Sequence, residues 1–335
     1  MSRPWSLTVC APIVFFALLV ALTPDVGLST AQSIATRTVR VPDAGGDAIL
    51  VIPAACAAGG CPLVVVSHRW GGTPEHALDR VGHLTYSAFL GRFTDAGFAL
   101  LLSRDGGLET WGSTAALENT SSVWFKARTL YAFGDTFTLG FSMGGLPASL
   151  LGMTGRLPVR GTVAVAAQLS LLDAYTSPGL PSRSLSVARA YKLDPNARPN
   201  SAALAAVSFG HDPVGDLRFI TTSPTIRPNP AWRRVPTLVV ASRTDATVDF
   251  TANAAAFVAL LSTLEPQTRL LEVFGGHLGA AHFAPHVADT AIAFLKGLGT
   301  HSSQPEPKPF AAGKPRVNVQ KPSAKASIPP APKPR

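Results

Sequence analysis

The stretch TFTLGFSMGGLPASLLGM, residues 136–153, decides the reading of this chain. Its first half is a short apolar and β-branched run, which is a strand pattern. Its second half can start a helix. Between them stands Gly140-Phe141-Ser142-Met143-Gly144, a match to G-x-S-x-G. Alone the pattern is common; its meaning comes from strand, turn and helix in that order, which present the serine hydroxyl at the end of a strand. Glycines beside the serine fit such a corner, because a tight turn leaves no space for side chains against the next strand and helix.

Outward from this stretch, apolar runs recur at RTVRV, AILVIP, PLVVVSH, FALLLSR, RGTVAVAAQ, TLVVASR and RLLEVFG. Helical patterns are expected between most of them, at 76–96, 115–132, 143–153, 251–264 and 286–298. The first two runs have a short polar connection and predict an antiparallel pair. The later ones are continuous and helix-separated, which predicts a parallel sheet buried on both faces. The fold class expected is α/β: a mostly parallel, doubly wound sheet with helices on both faces. Residues 169–234 break the rhythm with many Pro, Ser and Asn. They read as an insertion over the C-terminal edge of the sheet, with one helix at 183–191.

The chain has 335 residues, 46% hydrophobic and 15% charged, so it can bury a large core and is not globally disordered. Its net charge of +9 is uneven. Residues 301–335 form a Pro/Lys-rich stretch in which seven basic residues face Glu306 alone. They are expected to be a disordered basic tail, either solvated or lying on an anionic cell envelope. With so much charge outside the globular part, the basic balance does not point to nucleic acid. Residues 1–31 have a short basic start, an apolar run from Leu7 to Leu22 and small residues before Gln32. That is a secretory signal peptide pattern, an N-terminal membrane anchor being the alternative. The globular α/β domain is then 32–300, in an exported, periplasmic or extracellular protein, expected to be a monomer. Export exposes Cys56 and Cys61 to an oxidising compartment, and the pair is expected to close a small structural disulfide. Two cysteines do not make a metal site. No metal or organic cofactor is implied.

A serine hydroxyl needs a base, and the base needs an acid to orient it, in the chain order serine, acid, histidine. Asp245 follows the TLVVASR run and is preferred over Asp249, which suits a helix N-cap. After the last run come His277, His282 and His286. His282 is the preferred base and His277 the alternative. An oxyanion hole needs two backbone N–H groups: one from Met143, after the serine, and one from the loop in VVVSHRWGG, for which Trp70 is the candidate. The Trp70 indole could also wall an acyl pocket, or simply pack in the core.

Together SHRWGG, GFSMGG, PTLVVASRTD and GAAHFAP resemble the corresponding blocks of the α/β-hydrolase superfamily, over about residues 62–298. Within it the chain is similar to dienelactone-hydrolase-like esterases and bacterial cutinase-type polyester hydrolases. In the latter the catalytic histidine precedes Phe-Ala-Pro, the acid lies nine residues after the proline of the PTL strand, and an early aromatic gives an oxyanion N–H. The resemblance therefore implies His282, Asp245 and Trp70. FALLLSRDGGLETWGS also resembles a group of uncharacterised esterase-like hydrolases that carry two histidines spaced as His277 and His282, so both stay open. The chain departs from the pattern at Arg69, where a glycine is usual. An arginine there either faces solvent or aims a positive charge at substrates carrying a carboxylate. Phe141 also replaces a commonly polar residue. The function implied is a serine hydrolase that cleaves carboxylic esters through an acyl-enzyme. The alternatives are acyl transfer on the same fold, or a catalytically silent envelope-binding protein.

Overall fold

All eight apolar runs become strands of one sheet: β1 (Arg37–Val41), β2 (Ala48–Ile52), β3 (Leu63–Ser67), β4 (Ala99–Ser103), β5 (Thr136–Phe141), β6 (Val159–Val165), β7 (Thr237–Ala241) and β8 (Arg269–Glu272). The computed structural model describes residues 36–299, apart from 44–45, 57–58, 178–179, 209 and 223–231. The expected signal peptide and basic tail lie outside the described residues. The strand order is β1-β2-β4-β3-β5-β6-β7-β8. β1 and β2 pair antiparallel, as do β2 and β4, and every later pair is parallel.

The strands are continuously apolar because both faces are covered. Along β3, Leu63 and Val65 point into one core while Val64 and Val66 point into the other. The first core contains Trp124 of helix α2 (Thr114–Leu130) and Leu146 and Leu150 of helix α3 (Gly145–Met153). The second contains Phe89 and Phe93 of helix α1 (Leu84–Asp95) and Val287 and Leu295 of the last helix, 285–298. Burying side chains of this size contributes about 1.5–3 kcal/mol each. Every residue of α3 is buried, which is how a helix apolar on all sides must sit.

The insertion is more regular than its sequence predicts. In place of one helix it holds α4 (Leu171–Thr176), α5 (Pro181–Ala190), α6 (Ser201–Val207) and α7 (Pro213–Thr222) among the described residues. Each is too short for a helical period to stand out, so capping side chains define them. Ser170 Oγ accepts from Asp173 N (3.2 Å), and Asn200 Oδ1 from Ala202 N (2.9 Å) and Ala203 N (3.2 Å). Asp212 Oδ1 accepts from Gly215 N (3.2 Å). The chain then returns through β7, helix α8 (Ala256–Leu261), β8 and helix α9 (Pro285–Leu298).

Parallel register aligns the strand ends. Ser67 of β3 stands beside Ser103 of β4 on one side and Gly140 of β5 on the other. The loops after β3, β4 and β5 therefore leave the sheet at one level, and Ser142 emerges among them.

Cys56 and Cys61 form a disulfide (Cα–Cα 5.4 Å) that closes the turn between β2 and β3. Its short loop makes its contribution to stability small, about 2 kcal/mol by loop-closure entropy. Replacing both cysteines by alanine is expected to lower urea stability by about that amount without changing the fold, as judged by circular dichroism.

A second prediction concerns pH. Burial raises the Asp216 carboxyl to about 7, the Gly210 N–H opposing this and the neighbouring Asp212 adding to it. A raised carboxyl makes the folded state favour the proton, so stability is lost as pH climbs from the ordinary carboxylate value, about 4, through that raised one. Asp216→Asn is expected to melt above the wild-type protein at pH 8, by a margin that shrinks steadily towards pH 4.

Candidate active site

Ser142 sits at φ +52°, the left-handed region that a residue with a Cβ adopts only under constraint. The constraint is the absence of side chains around it. A Cβ at Gly140 would run into the carbonyl oxygen of Gly144, and one at Gly144 into the carbonyl oxygens of Ser67 and His68. A Cβ at Gly145 would strike Ala167. The elbow is thus clamped between the ends of β3 and β6. The clamp is completed by Gln168 N, which donates to Ser142 O (2.8 Å).

Ser142 Oγ donates to His277 Nε2 (2.8 Å), and His277 Nδ1–H donates to Asp245 Oδ2 (2.7 Å). The other carboxylate oxygen, Asp245 Oδ1, accepts from Thr247 N (2.8 Å) and Val248 N (3.0 Å). Burial pushes the Asp245 carboxyl up. The His277 hydrogen bond and the backbone donors more than offset this, and hold it below the usual carboxylate value. A hydroxyl, an imidazole and a fixed carboxylate in series can move a proton from the hydroxyl to the ring while the ring keeps its orientation.

The preferred histidine of the sequence reading, His282, is not in this series; the alternative, His277, is. The reason lies in the loop after β8. Gly275 (φ +152°) and Leu278 (φ +47°) bend the chain so that His277, five residues past the strand, swings over the sheet edge. His282 falls in the turn Ala280–Phe283, which Phe283 pulls inward against Phe89 and Phe141. The His282 ring is fully buried, and neither of its nitrogens has a hydrogen-bond partner among the described residues. Burial pushes this ring down and so keeps it neutral, the Asp245 charge opposing the shift and His277 adding to it. Asp249 lies outside the series and caps a helical turn, its Oδ1 accepting from Ala252 N (2.6 Å). His286 lies in the first turn of α9.

The loop after β3 folds back against the loop after β4. His68 Nε2 lies 2.9 Å from Arg104 O and 3.0 Å from Gly107 O, and Gly71 N donates to Leu108 O (3.0 Å). Trp70 packs its half-buried ring against Trp111, centroids 6.1 Å apart. Its backbone N–H has no acceptor among the described residues. Met143 follows the elbow serine at the start of a helix, where the first N–H groups lack intrahelical acceptors.

Sequence reasoning missed a buried polar network behind the site. Asn253 Oδ1 accepts from Gln168 Nε2 (2.9 Å), Leu169 N (2.9 Å) and Ser170 N (2.8 Å), and its Nδ2 donates to Asp173 Oδ2 (3.0 Å). Arg183 of α5 is 3% exposed and donates through Nη1 to Thr247 O (2.7 Å) and Gln168 Oε1 (3.3 Å). Burial pulls this guanidinium below its ordinary value, against the pull of Asp173 and Asp245. The network ties the elbow, the acid loop and the insertion into one body. No motif signals it; the only sequence hint is an arginine on an otherwise small and apolar helix face.

Asn253→Ala strips the acceptor from two buried backbone donors, Leu169 N and Ser170 N. It is expected to cost about 3 kcal/mol in denaturant unfolding, well above an average surface substitution.

No family model and no curated protein matches the chain. Solved structures do. An acylaminoacyl peptidase from Pyrococcus horikoshii is 11% identical with a TM-score of 0.57, covering 83% of this chain and 44% of that one. A Staphylococcus aureus S-formylglutathione hydrolase is 12% identical with a TM-score of 0.52, covering 78% of this chain and 96% of that one. A Pyrococcus furiosus esterase is 16% identical with a TM-score of 0.51, covering 79% and 92%. At these identities the likeness is one of fold, and that fold is the α/β-hydrolase fold, as the sequence resemblance implies.

Proposed function

We propose that this chain is an exported serine hydrolase that cleaves carboxylic esters through an acyl-enzyme. The observation that carries the proposal is the unbroken hydrogen-bond series Ser142–His277–Asp245, with the serine on a strained corner. In this reading His277 Nε2 takes the Ser142 proton as Oγ attacks the ester carbonyl. Asp245 holds the tautomer with Nδ1–H and balances the charge of the imidazolium. The N–H groups of Trp70 and Met143 hold the oxyanion, and losing one such donor would cost about 3 kcal/mol of transition-state stabilisation. His277 then returns the proton to the leaving alcohol. Water, deprotonated by the same ring, releases the acid. His282 has no part in these steps.

Structural neighbours named as an esterase, a peptidase and a hydrolase support acyl chemistry on this fold. The disulfide and the N-terminal signal pattern support export. Among the described residues no helix is long and apolar enough to cross a membrane.

A fluorophosphonate probe is expected to label Ser142, read by peptide mass spectrometry. Labelling should disappear in Ser142→Ala and His277→Ala, and persist in His282→Leu, whose fold is checked by circular dichroism. Turnover of phenyl acetate should drop by about 10⁴ or more in Ser142→Ala. A probe that labels another residue, or labels Ser142 equally with and without His277, would overturn the proposal.

A further inference from the structure

A cavity of about 370 Å³ opens at the C-terminal edge of the sheet, on the α1 side. Ser142, His277 and Trp70 do not line it, but their chain neighbours do: Arg69 precedes Trp70, Phe141 precedes Ser142 and Leu278 follows His277. Tyr86, Phe141 and Phe283 form an aromatic floor, with Tyr86 edge-on to both phenylalanines (centroids 4.8 and 6.0 Å). Leu278 is held in the left-handed region, at φ +47°, by the turn that places His277. The side chain in the wall and the base in the site are therefore set by one backbone constraint.

Arg69 is the charged wall residue, and its guanidinium is anchored without being neutralised. The anchor is a chain of three groups. Val81 N and Gly82 N donate to Asp79 Oδ1 (2.9 Å each). The Gly82 and Val81 donors, with His83, bring that carboxyl down to about 2, so it stays charged. His83 Nδ1–H donates to Asp79 Oδ2 (3.1 Å), which leaves Nε2 to accept from Arg69 Nη2 (3.2 Å). His76 stacks on His83 at 4.3 Å and steadies the ring. Among the described residues no carboxylate lies within ion-pair distance of Arg69. Arg69 is exposed, so its other N–H groups are open to a ligand at the wall of an aromatic-floored cavity.

We propose that this cavity takes the alcohol portion of the ester, and that Arg69 selects aromatic alcohols carrying a carboxylate. The side is assigned by the proton. His277 Nε2 must deliver it to the leaving oxygen, so the leaving group lies on the histidine side of the site, and Leu278 and Phe283 of that same loop wall the cavity. The class is assigned by the walls: rings for an apolar, flat body, and a guanidinium with free donors for an oxyanion. The inference rests on the serine-hydrolase reading above.

The test compares 4-acetoxybenzoate with 4-acetoxybenzamide, which share acyl group and ring, each rate being corrected for its hydroxide-catalysed rate. The wild-type protein is expected to favour the carboxylate by about tenfold in kcat/KM, the scale of one charge-assisted hydrogen bond. That ratio should fall to about one in Arg69→Gln, recover in part in Arg69→Lys, and hold in Arg37→Gln, which removes a charge from the distant edge strand β1. Phenyl 4-carboxybenzoate and phenyl 4-carbamoylbenzoate, with the charge moved to the acyl side, should show no gap that depends on Arg69. A wild-type ratio of one or less, a ratio unmoved in Arg69→Gln, or an Arg69-dependent gap on the acyl side would each overturn the inference and leave the hydrolase reading standing. Absence of Ser142-dependent turnover of every ester would sink both.

Discussion

One residue in a left-handed conformation organises this molecule. Ser142 cannot hold φ +52° unaided, and such strain costs of the order of 1–3 kcal/mol. It persists because three glycines let the corner press against the carbonyls that end β3 and against Ala167 beyond β6. Those contacts exist only if β3, β5 and β6 are neighbours in register. The sheet order, the aligned strand ends and the placing of the Ser142 hydroxyl are thus one requirement seen at three scales.

Behind that corner the molecule uses polar groups where it could have used apolar ones. Asn253, Gln168, Arg183 and Asp173 bond to one another and to the backbone of three segments, Arg183 Nε being left without a partner among the described residues. A buried network of this kind is a poor source of net stability, because every member gives up water to join it. What it supplies is direction. The shared bonds fix how the Gln168 and Asn253 amides point, and Arg183 holds the Thr247 carbonyl while Thr247 N donates to Asp245. The insertion is joined to the site by these bonds as well as by the chain.

The sheet was legible in the sequence because continuous runs such as LVVVS and ALLLS leave no solvent face, and only a strand covered on both sides tolerates that. The elbow was legible because its glycines are steric necessities. The insertion was not, since helices of six to ten residues carry too few turns for a period, and the starts of three of them are set by Ser170, Asn200 and Asp212 acting at single positions. Which histidine meets Ser142 was not legible for a related reason. His277 and His282 are both plausible by distance from the last strand, and the resemblance of the Phe-Ala-Pro segment favoured His282, whereas the hydrogen-bond series runs through His277. The deciding feature is the backbone at Gly275 and Leu278. A glycine pair just before His277 hints at that bend, but a leucine in the left-handed region leaves no trace in composition. Arg183 left only the hint of its small and apolar helix face, because its partners Gln168 and Thr247 are distant in the sequence.

His277 follows the shortest strand of the sheet. β8 has four residues, forms the edge of the sheet and pairs with β7 alone, and none of its residues is fully buried. Serine and histidine are 135 positions apart in the chain and meet only through that strand. Edge strands of this kind detach by local opening at a fraction of the energy of global unfolding. Detachment of β8 would withdraw His277 while both main cores stay intact, giving a species that is folded by every bulk criterion and catalytically dead. In such a molecule the Ser142–His277 contact depends on the pairing of one four-residue edge strand, which a melting curve of the whole does not report.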